Sequence, residues 1–313
     1  MPRSTTPAVR PGSRPTADAR AGSSSSSSSA SWKWRALVGL VVAAVVLLTV
    51  GVVMAVRGAD PSDGESSPGF GHVHGLGVDP ADGALYAGTH HGLFRVSEDS
   101  GSSRVADRDQ DFMGFTVLGP NHFLASGHPG KGQDGPSSLG LIESTDAGQT
   151  WRPLSLAGEA DFHVLEARHG LIYGFNALTG RFMVSQDAKT WAVRSPLGLA
   201  DFTVSPEEAD LVVATTEQGL ARSDDGGRTF RVIKGAPLLL LANWADDGTL
   251  VGAGPDGTIY ASSDDGAIWQ RRGSLQAAPA ALQAISKDLI YAATGEAVLT
   301  STDGGRSFTS PSG

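Results

Sequence analysis

The stretch SDDGGRTF, from Ser223 to Phe230, is an eight-residue box that recurs with small changes between Ser97 and the end of the chain. Successive copies begin 47, 41, 38, 39 and 39 residues apart. A period of about 40 residues with turn-forming residues in every unit is typical of repeat architectures. The other copies are SEDSGSSR from Ser97, STDAGQTW from Ser144, SQDAKTW from Ser185, SSDDGAIW from Ser262 and STDGGRSF from Ser301.

The residues around each box predict four short strands per unit. Near the fourth copy, LADFTVSP and DLVVATT are apolar runs, GLARS leads into the box, and TFRVIK leaves it. Such closely spaced strands form an antiparallel meander and leave no room for helical crossovers. From Phe70 to Gly313 there are 244 residues, which divide into six units. The predicted fold class is therefore all-β, a six-bladed β-propeller of four-stranded antiparallel blades with box turns, preceded by one transmembrane helix.

Turn chemistry explains every residue of the box between the third and fourth strands. Asp225 can accept hydrogen bonds from the backbone two residues on, and Gly227 can take a positive φ. Ser223 and Thr229 can bond across the hairpin, and Phe230 can cover the turn. The box is therefore predicted to be a structural element rather than a catalytic one.

From about His72 to its end, the chain resembles the Asp-box (BNR) repeats of sialidases, sortilin-type receptors and photosystem II assembly factors. The stretches HVHGLGVDP, THHGLF, SGHPG and DFH also resemble bacterial extracytoplasmic propellers that carry the label glycosyl hydrolase or sialidase-like. This resemblance implies a box that lies away from the active or binding centre. The label rests on the repeats rather than on a catalytic set of residues.

The first 69 residues predict how the propeller is placed in the cell. Residues 1–33 are predicted to be a disordered cytoplasmic tail, 34–57 a transmembrane signal anchor, 58–69 a flexible stalk, and 70–313 the propeller. Ala36 to Val56 is a 21-residue run without charge, long enough to span a bilayer as a helix. Six basic residues and a single acidic one, Asp18, precede this run. This excess of positive charge favours a single-pass protein of the cell membrane with its N-terminus in the cytoplasm and its propeller outside. The alternative is a signal peptide cleaved after Ala55.

Charge and cysteine content limit the partners of the predicted outer domain. The chain has no cysteine, so neither a disulfide nor a lipid-anchoring thiol is available. Beyond residue 57 lie 17 of the 24 basic and 32 of the 33 acidic residues, a net charge of −15. Such a domain is expected to repel nucleic acid and anionic lipid headgroups, and to accept a metal ion or a cationic or neutral partner.

Candidate functional residues gather where the repeats differ. Aligning the first strand of four units places His72, Asp111, Asp161 and Asp201 at one register position, and strand alternation places a second set two residues on. The turns between second and third strands open on the same face, opposite the boxes, and add further histidines. The second set is His74, Met113, His163 and Thr203, and the turn histidines are His90, His91 and His128.

Imidazole, carboxylate and thioether groups together are ligands for copper or zinc. The sequence therefore predicts a metal site drawn from His72, His74, His90, His91, Met113, His128 and His163, with no organic cofactor. A small ligand, a glycan or a protein is the expected partner of this histidine-rich face. The alternative is a structural role, with the aspartates capping strand starts and the histidines bonding around the channel mouth.

A glycoside hydrolase is the alternative function. It would use two carboxylates from Asp111, Asp161 and Asp201, which begin neighbouring inner strands. The resemblance to sialidases implies an Arg-Ile-Pro motif and a tyrosine nucleophile. The chain has no Arg-Ile-Pro, and its four tyrosines lie in apolar strand patterns that indicate core positions. The sequence thus favours a binding module over an enzyme.

Overall fold

Each sheet of the structure is built from one continuous stretch of chain. The computed structural model describes residues 71–97, 101–295 and 297–310, and there the chain forms six antiparallel sheets. Within every sheet the strands neighbour one another in chain order, as in a meander. The prediction of an all-β, six-bladed propeller is confirmed.

The strands of blades 1 to 3 are β1 (Val73–Val78), β2 (Leu85–Thr89), β3 (Gly92–Ser97), β4 (Gly101–Arg104), β5 (Asp111–Gly119), β6 (His122–His128), β7 (Leu141–Ser144), β8 (Arg152–Ser155), β9 (Phe162–Arg168), β10 (Leu171–Asn176), β11 (Arg181–Ser185) and β12 (Trp191–Pro196). Those of blades 4 to 6 are β13 (Leu199–Val204), β14 (Val212–Thr216), β15 (Gly219–Ser223), β16 (Arg231–Val232), β17 (Leu241–Trp244), β18 (Leu250–Ala253), β19 (Thr258–Ser262), β20 (Gln270–Ser274), β21 (Pro279–Ala284), β22 (Ile290–Thr294) and β23 (Val298–Ser301).

The sixth blade differs from the other five at its outer edge. Its sheet contains β21, β22 and β23. In the described part of the chain, the outer position of this blade is marked by a single antiparallel bridge between Thr300 and Thr309. The regular fourth strand that the repeat predicts is thus reduced to one pair of residues.

Hydrophobic clusters between neighbouring blades hold the ring together. Four residues of the inner strands, Val73, Phe112, Phe162 and Phe202, are all at most 2% exposed. One cluster joins blade 1 to blade 6 and includes Val73 and Ala281. In the described part of the chain, where each sheet uses consecutive strands, side-chain packing joins blade 6 to blade 1.

Polar side chains also connect the innermost strands of adjacent blades. These strands do not share a sheet, so backbone groups that face the next blade need side-chain partners. In each case a side chain of one inner strand accepts a hydrogen bond from a backbone N–H of the next. The pairs are Glu166 with Val204 (3.1 Å), Asp201 with Ala242 (2.9 Å), Thr203 with Trp244 (3.0 Å), and Asn243 with Ala284 (2.8 Å).

The box turns have the predicted structural role, with one difference in detail. Asp225 accepts hydrogen bonds from the N–H groups of Arg228 and Thr229, three and four residues on rather than two. Ser223 donates to Asp225 and accepts from the N–H of Gly227, which has the expected positive φ of 82°. The turn therefore satisfies its own backbone without help from a ligand.

The predicted tail, anchor and stalk, residues 1–33, 34–57 and 58–69, lie outside the described residues. Among the residues that the structure does describe, no helix has the length and apolar character needed to cross a membrane.

Neighbouring serines in one box provide a test of the turn. Ser262 is 3% exposed, donates to Asp264 (2.7 Å) and accepts from the N–H of Gly266 (3.0 Å). Ser262→Ala leaves that buried N–H without its acceptor and is expected to lower the free energy of unfolding by about 1–3 kcal/mol. The exposed Ser263→Ala is the matched control and should change it by less than about 0.5 kcal/mol. Urea unfolding of both variants checks this, and equal effects would contradict the assigned role of the turn.

Candidate functional site

The histidine-rich face lies at the opposite end of the propeller from the box turns. Box turns contact the turns between first and second strands: Ala147 donates its N–H to the carbonyl of Asn121, and Gly226 to that of Asp210. The starts of the inner strands and the turns between second and third strands are at the other end. The predicted site residues His72, His74, His90 and Asp111 all lie there.

A first cluster contains His74, His90 and Asp111 and spans the boundary between blades 1 and 2. The Nε2 atoms of His74 and His90 are 3.2 Å apart, and Nδ1 of His90 is 2.9 Å from Oδ1 of Asp111. One ligand atom from each of these three residues lies within 4.8 Å of the others. The ring of His72 is 4.8 Å from that of His74 between centroids, so a third imidazole borders the cluster.

In the first cluster, the pKa values of the two central histidines, His74 and His90, are shifted in opposite directions. Burial, and then the charges of His90 and His72, lower the pKa of His74 to about 3, so its imidazole is neutral at pH 7. The hydrogen bond that Nδ1 of His90 donates to the carboxylate of Asp111 raises the pKa of His90 and assigns a proton to that Nδ1. Burial also lowers the pKa of His72. His74 therefore presents an unprotonated nitrogen, as a metal ligand must.

A second cluster contains His128, Asp161 and His163 and spans the boundary between blades 2 and 3. Oδ2 of Asp161 is 2.9 Å from Nε2 of His163 and 3.6 Å from Nε2 of His128. His128 is paired with Asp111 across β5 and β6, so the two clusters are adjacent. Gly127 makes this possible, because at its φ of 150° a Cβ would collide with the carbonyl oxygen of Asp111.

Two further predicted metal ligands, His91 and Met113, belong to neither cluster as defined above. The ring of His91 packs against Gly71, and the backbone N–H of His91 bonds to Thr89. Met113 is half-buried and lines the central channel beside His74 and His163.

The predicted catalytic aspartates have different partners. Asp111 is paired with His90, and Asp161 with His163. Asp201 instead accepts hydrogen bonds from the N–H groups of Phe202 and Ala242, both at 2.9 Å, at the start of its strand. Its carboxylate thus has the structural role that the sequence left open, and the structure does not bring it into either histidine cluster.

A central channel of about 560 Å³ runs between the six inner strands and is continuous with the histidine-rich face through His74 and His163. Inside it, Glu166 accepts hydrogen bonds from Nε of Arg168 (3.1 Å) and from the N–H of Val204. Burial raises the pKa of Glu166 to about 7. No repeat position predicts this partly buried pair, and its one signal in the sequence is the presence of Glu166 and Arg168 in the strand FHVLEAR.

The similarity of this chain to known proteins is a similarity of fold. No protein-family model matches the chain, and no curated protein matches it. Among solved structures, YCF48 bound to a D1 peptide is 18% identical, with a TM-score of 0.51 over 81% of this chain and 86% of that one. A gluconolactonase from Xanthomonas campestris is 13% identical, with a TM-score of 0.59 over 74% and 85%. An ancestral GH74 enzyme is 12% identical, with a TM-score of 0.52 over 77% and 38%.

The partly buried carboxyl of Asp201 predicts a pH-dependent stability. Burial raises its pKa from 3.8 to about 7, so its contribution to folding is complete below pH 4 and is lost as the pH rises through 7. Asp201→Asn removes an acceptor but cannot ionise. We expect the variant to be less stable than wild type at pH 5, with a smaller deficit at pH 8.

Thermal unfolding at both pH values measures this deficit. The control is Asn243→Leu, which removes the equivalent hydrogen bond from the N–H of Ala284 in the next blade without removing a titratable group. Its deficit should not change with pH. A deficit for Asp201→Asn that grows from pH 5 to pH 8 would contradict the raised pKa.

Proposed function

We propose that this protein is a membrane-anchored, extracytoplasmic binding module that holds a copper or zinc ion on the histidine-rich face of its propeller. One observation carries the proposal: Nε2 of His74 lies 3.2 Å from Nε2 of His90, and 3.4 Å from its Nδ1. Two nitrogens bound at 2.0–2.1 Å to one tetrahedral ion are ~3.3 Å apart. The two imidazoles thus have the spacing of ligands that share an ion.

The surroundings of the two nitrogens support this assignment. A histidine that binds metal through Nε2 commonly donates its Nδ1–H to a carboxylate, which fixes the ring and its tautomer. His90 has this arrangement with Asp111 at 2.9 Å. His74 is neutral because burial lowers its pKa, and His72 stands beside it as a further candidate ligand. Positions left open on the ion would then be free for a small ligand, a glycan or a protein partner.

The contacts of the aspartates favour binding over glycoside hydrolysis. A glycosidase needs one carboxyl group to protonate the leaving oxygen and another to act on the sugar. Asp111 and Asp161 are engaged by histidines, and Asp201 is engaged by backbone N–H groups. Each of the three carboxyl groups is thus held by at least one contact within the protein.

The repeat family and the membrane anchor are part of the same proposal. The hydrogen bonds of the box turns support their identification as Asp-box repeats. The uncharged run from Ala36 to Val56 supports an anchor. YCF48, which shares the propeller fold, is known with a bound peptide, and this favours a protein or peptide partner among the alternatives.

Metal titration of the full-length protein tests the proposal. We expect His74→Ala to abolish binding at the first cluster, because it removes one of the two facing nitrogens. Asp111→Asn should weaken that binding by about 10–100-fold through loss of ring orientation. Affinities for zinc and copper are measured by competition with a chromophoric chelator.

The matched control is His122→Ala. His122 also pairs with a carboxylate, Glu143 at 2.7 Å, but near the box-turn end of blade 2. Its removal should leave the metal affinity unchanged. Equal metal binding by wild type and His74→Ala would refute the assignment of the first cluster.

A further inference from the structure

The histidine-rich face has two chemically different halves. The connectors into the inner strands of blades 4, 5 and 6 contain no charged residue: SPLGLA at 195–200, GAPLLLL at 235–241 and LQAAPA at 275–280. The equivalent segments of blades 2 and 3, VADRDQD at 105–111 and LAGEAD at 156–161, contain six charged residues between them. We call the three uncharged connectors the aliphatic half of the face. The histidines lie on blades 1 to 3, in the other half.

The aliphatic half presents apolar side chains to solvent. Leu238, in the run of four leucines that leads into β17, is 64% exposed, and Ala200, Ala277 and Ala278 are also exposed. Leu178, in the turn between β10 and β11, adds a side chain that is 58% exposed at the same end of the propeller. Exposed apolar groups that share one face, rather than being scattered singly, indicate an interaction surface.

The chain also enters the propeller on this face. Gly71 leads into β1, and the starts of the inner strands lie at the histidine-rich end. The predicted stalk, residues 58–69, has twelve residues, and an extended chain of that length spans about 40 Å. An anchor of the predicted kind therefore keeps the point of entry, and with it this face, within reach of the bilayer surface.

Charge and tethering together favour a lipid surface as the occupant of the aliphatic half. The net charge of −15 beyond residue 57 repels anionic headgroups, but the uncharged connectors can contact lipids whose headgroups carry no net charge. A short tether gives a domain an effective concentration on the order of 1 mM at the surface that holds it. A few exposed leucines then suffice for a contact that a free domain would not keep, and the tether provides this advantage for the bilayer rather than for a soluble partner.

We propose that the aliphatic half, together with Leu178, docks on the bilayer that anchors the chain, in contact with lipids of no net charge. Apolar side chains of such a surface lie about 5–10 Å deep, at the boundary between headgroups and acyl chains. The contact rests on the membrane anchor of the proposed function and does not require its metal ion. It adds an orientation, because a partner of the first cluster must then approach along the bilayer surface.

Single-cysteine labelling tests the contact, since the chain has no cysteine of its own. Full-length Leu238→Cys is labelled with a polarity-sensitive fluorophore and reconstituted in phosphatidylcholine vesicles with EDTA, with and without bromine atoms near the top of the acyl chains. We expect emission at shorter wavelength than in the matched control, and a loss of intensity with the brominated lipids. The control is Ile268→Cys, which is 68% exposed on a box turn at the opposite end and should not be quenched.

A second substitution tests whether the apolar surface itself makes the contact. In the labelled Leu238→Cys chain, Leu178→Glu should reduce the quenching, because a charged side chain opposes burial at an apolar boundary. Leu178→Met keeps an apolar side chain of similar volume and should retain the quenching. Residue 178 is exposed, so both variants should unfold at nearly the same temperature as their parent. Equal quenching in the two variants would overturn the proposal.

Flotation of the vesicles separates this inference from the proposed function. A chain that floats with them but is quenched equally at positions 238 and 268, or not at all at 238, overturns the lipid contact and leaves the anchor intact. Emission at shorter wavelength at 238 without quenching also overturns it, because a protein surface, such as a second copy, then covers the label. Stronger quenching in anionic phosphatidylglycerol vesicles contradicts the preference for neutral lipid. A chain that does not float refutes the anchor itself.

Discussion

The inner strands of neighbouring blades lie side by side without sharing a sheet, and the rest of the structure depends on how their backbone groups are satisfied. Glu166, Asp201, Thr203 and Asn243 each accept a hydrogen bond from the next blade. These bonds set the angle between blades, while the apolar clusters supply the packing energy. Polar side chains on the inner strands are needed for these hydrogen bonds between blades. They therefore line the channel whether or not it binds a ligand.

The same constraint explains how far the sequence predicts the structure. The box repeats at a nearly constant spacing, so the number of blades and the face of each turn follow from local chemistry. Strand alternation also predicts that His74, Asp111 and His163 share one face. Asp201 occupies the same register position as Asp111, yet its carboxylate bonds to Ala242. Register places a side chain on a face, but only the neighbouring blade decides its partner.

The division of the histidines into two clusters could not be predicted for a similar reason. His128 and Asp111 are 17 positions apart and become neighbours because β5 and β6 pair in one register, with Gly127 allowing close approach. His90 and His91 are adjacent in sequence, but one bonds to Asp111 and the other packs on Gly71. These contacts depend on the conformation of the turns between second and third strands. The repeat pattern does not predict that conformation, because these turns differ from one unit to the next.

Both histidine clusters draw their members from two blades, and this position has a mechanical consequence. A bound ion would link two neighbouring sheets, which otherwise contact each other through their side chains. Any event that tilts one blade against the next would change the distance between ligands and hence the affinity for the ion. By reciprocity, a metal ion bound in the first cluster would hold blades 1 and 2 at the spacing that its ligands require.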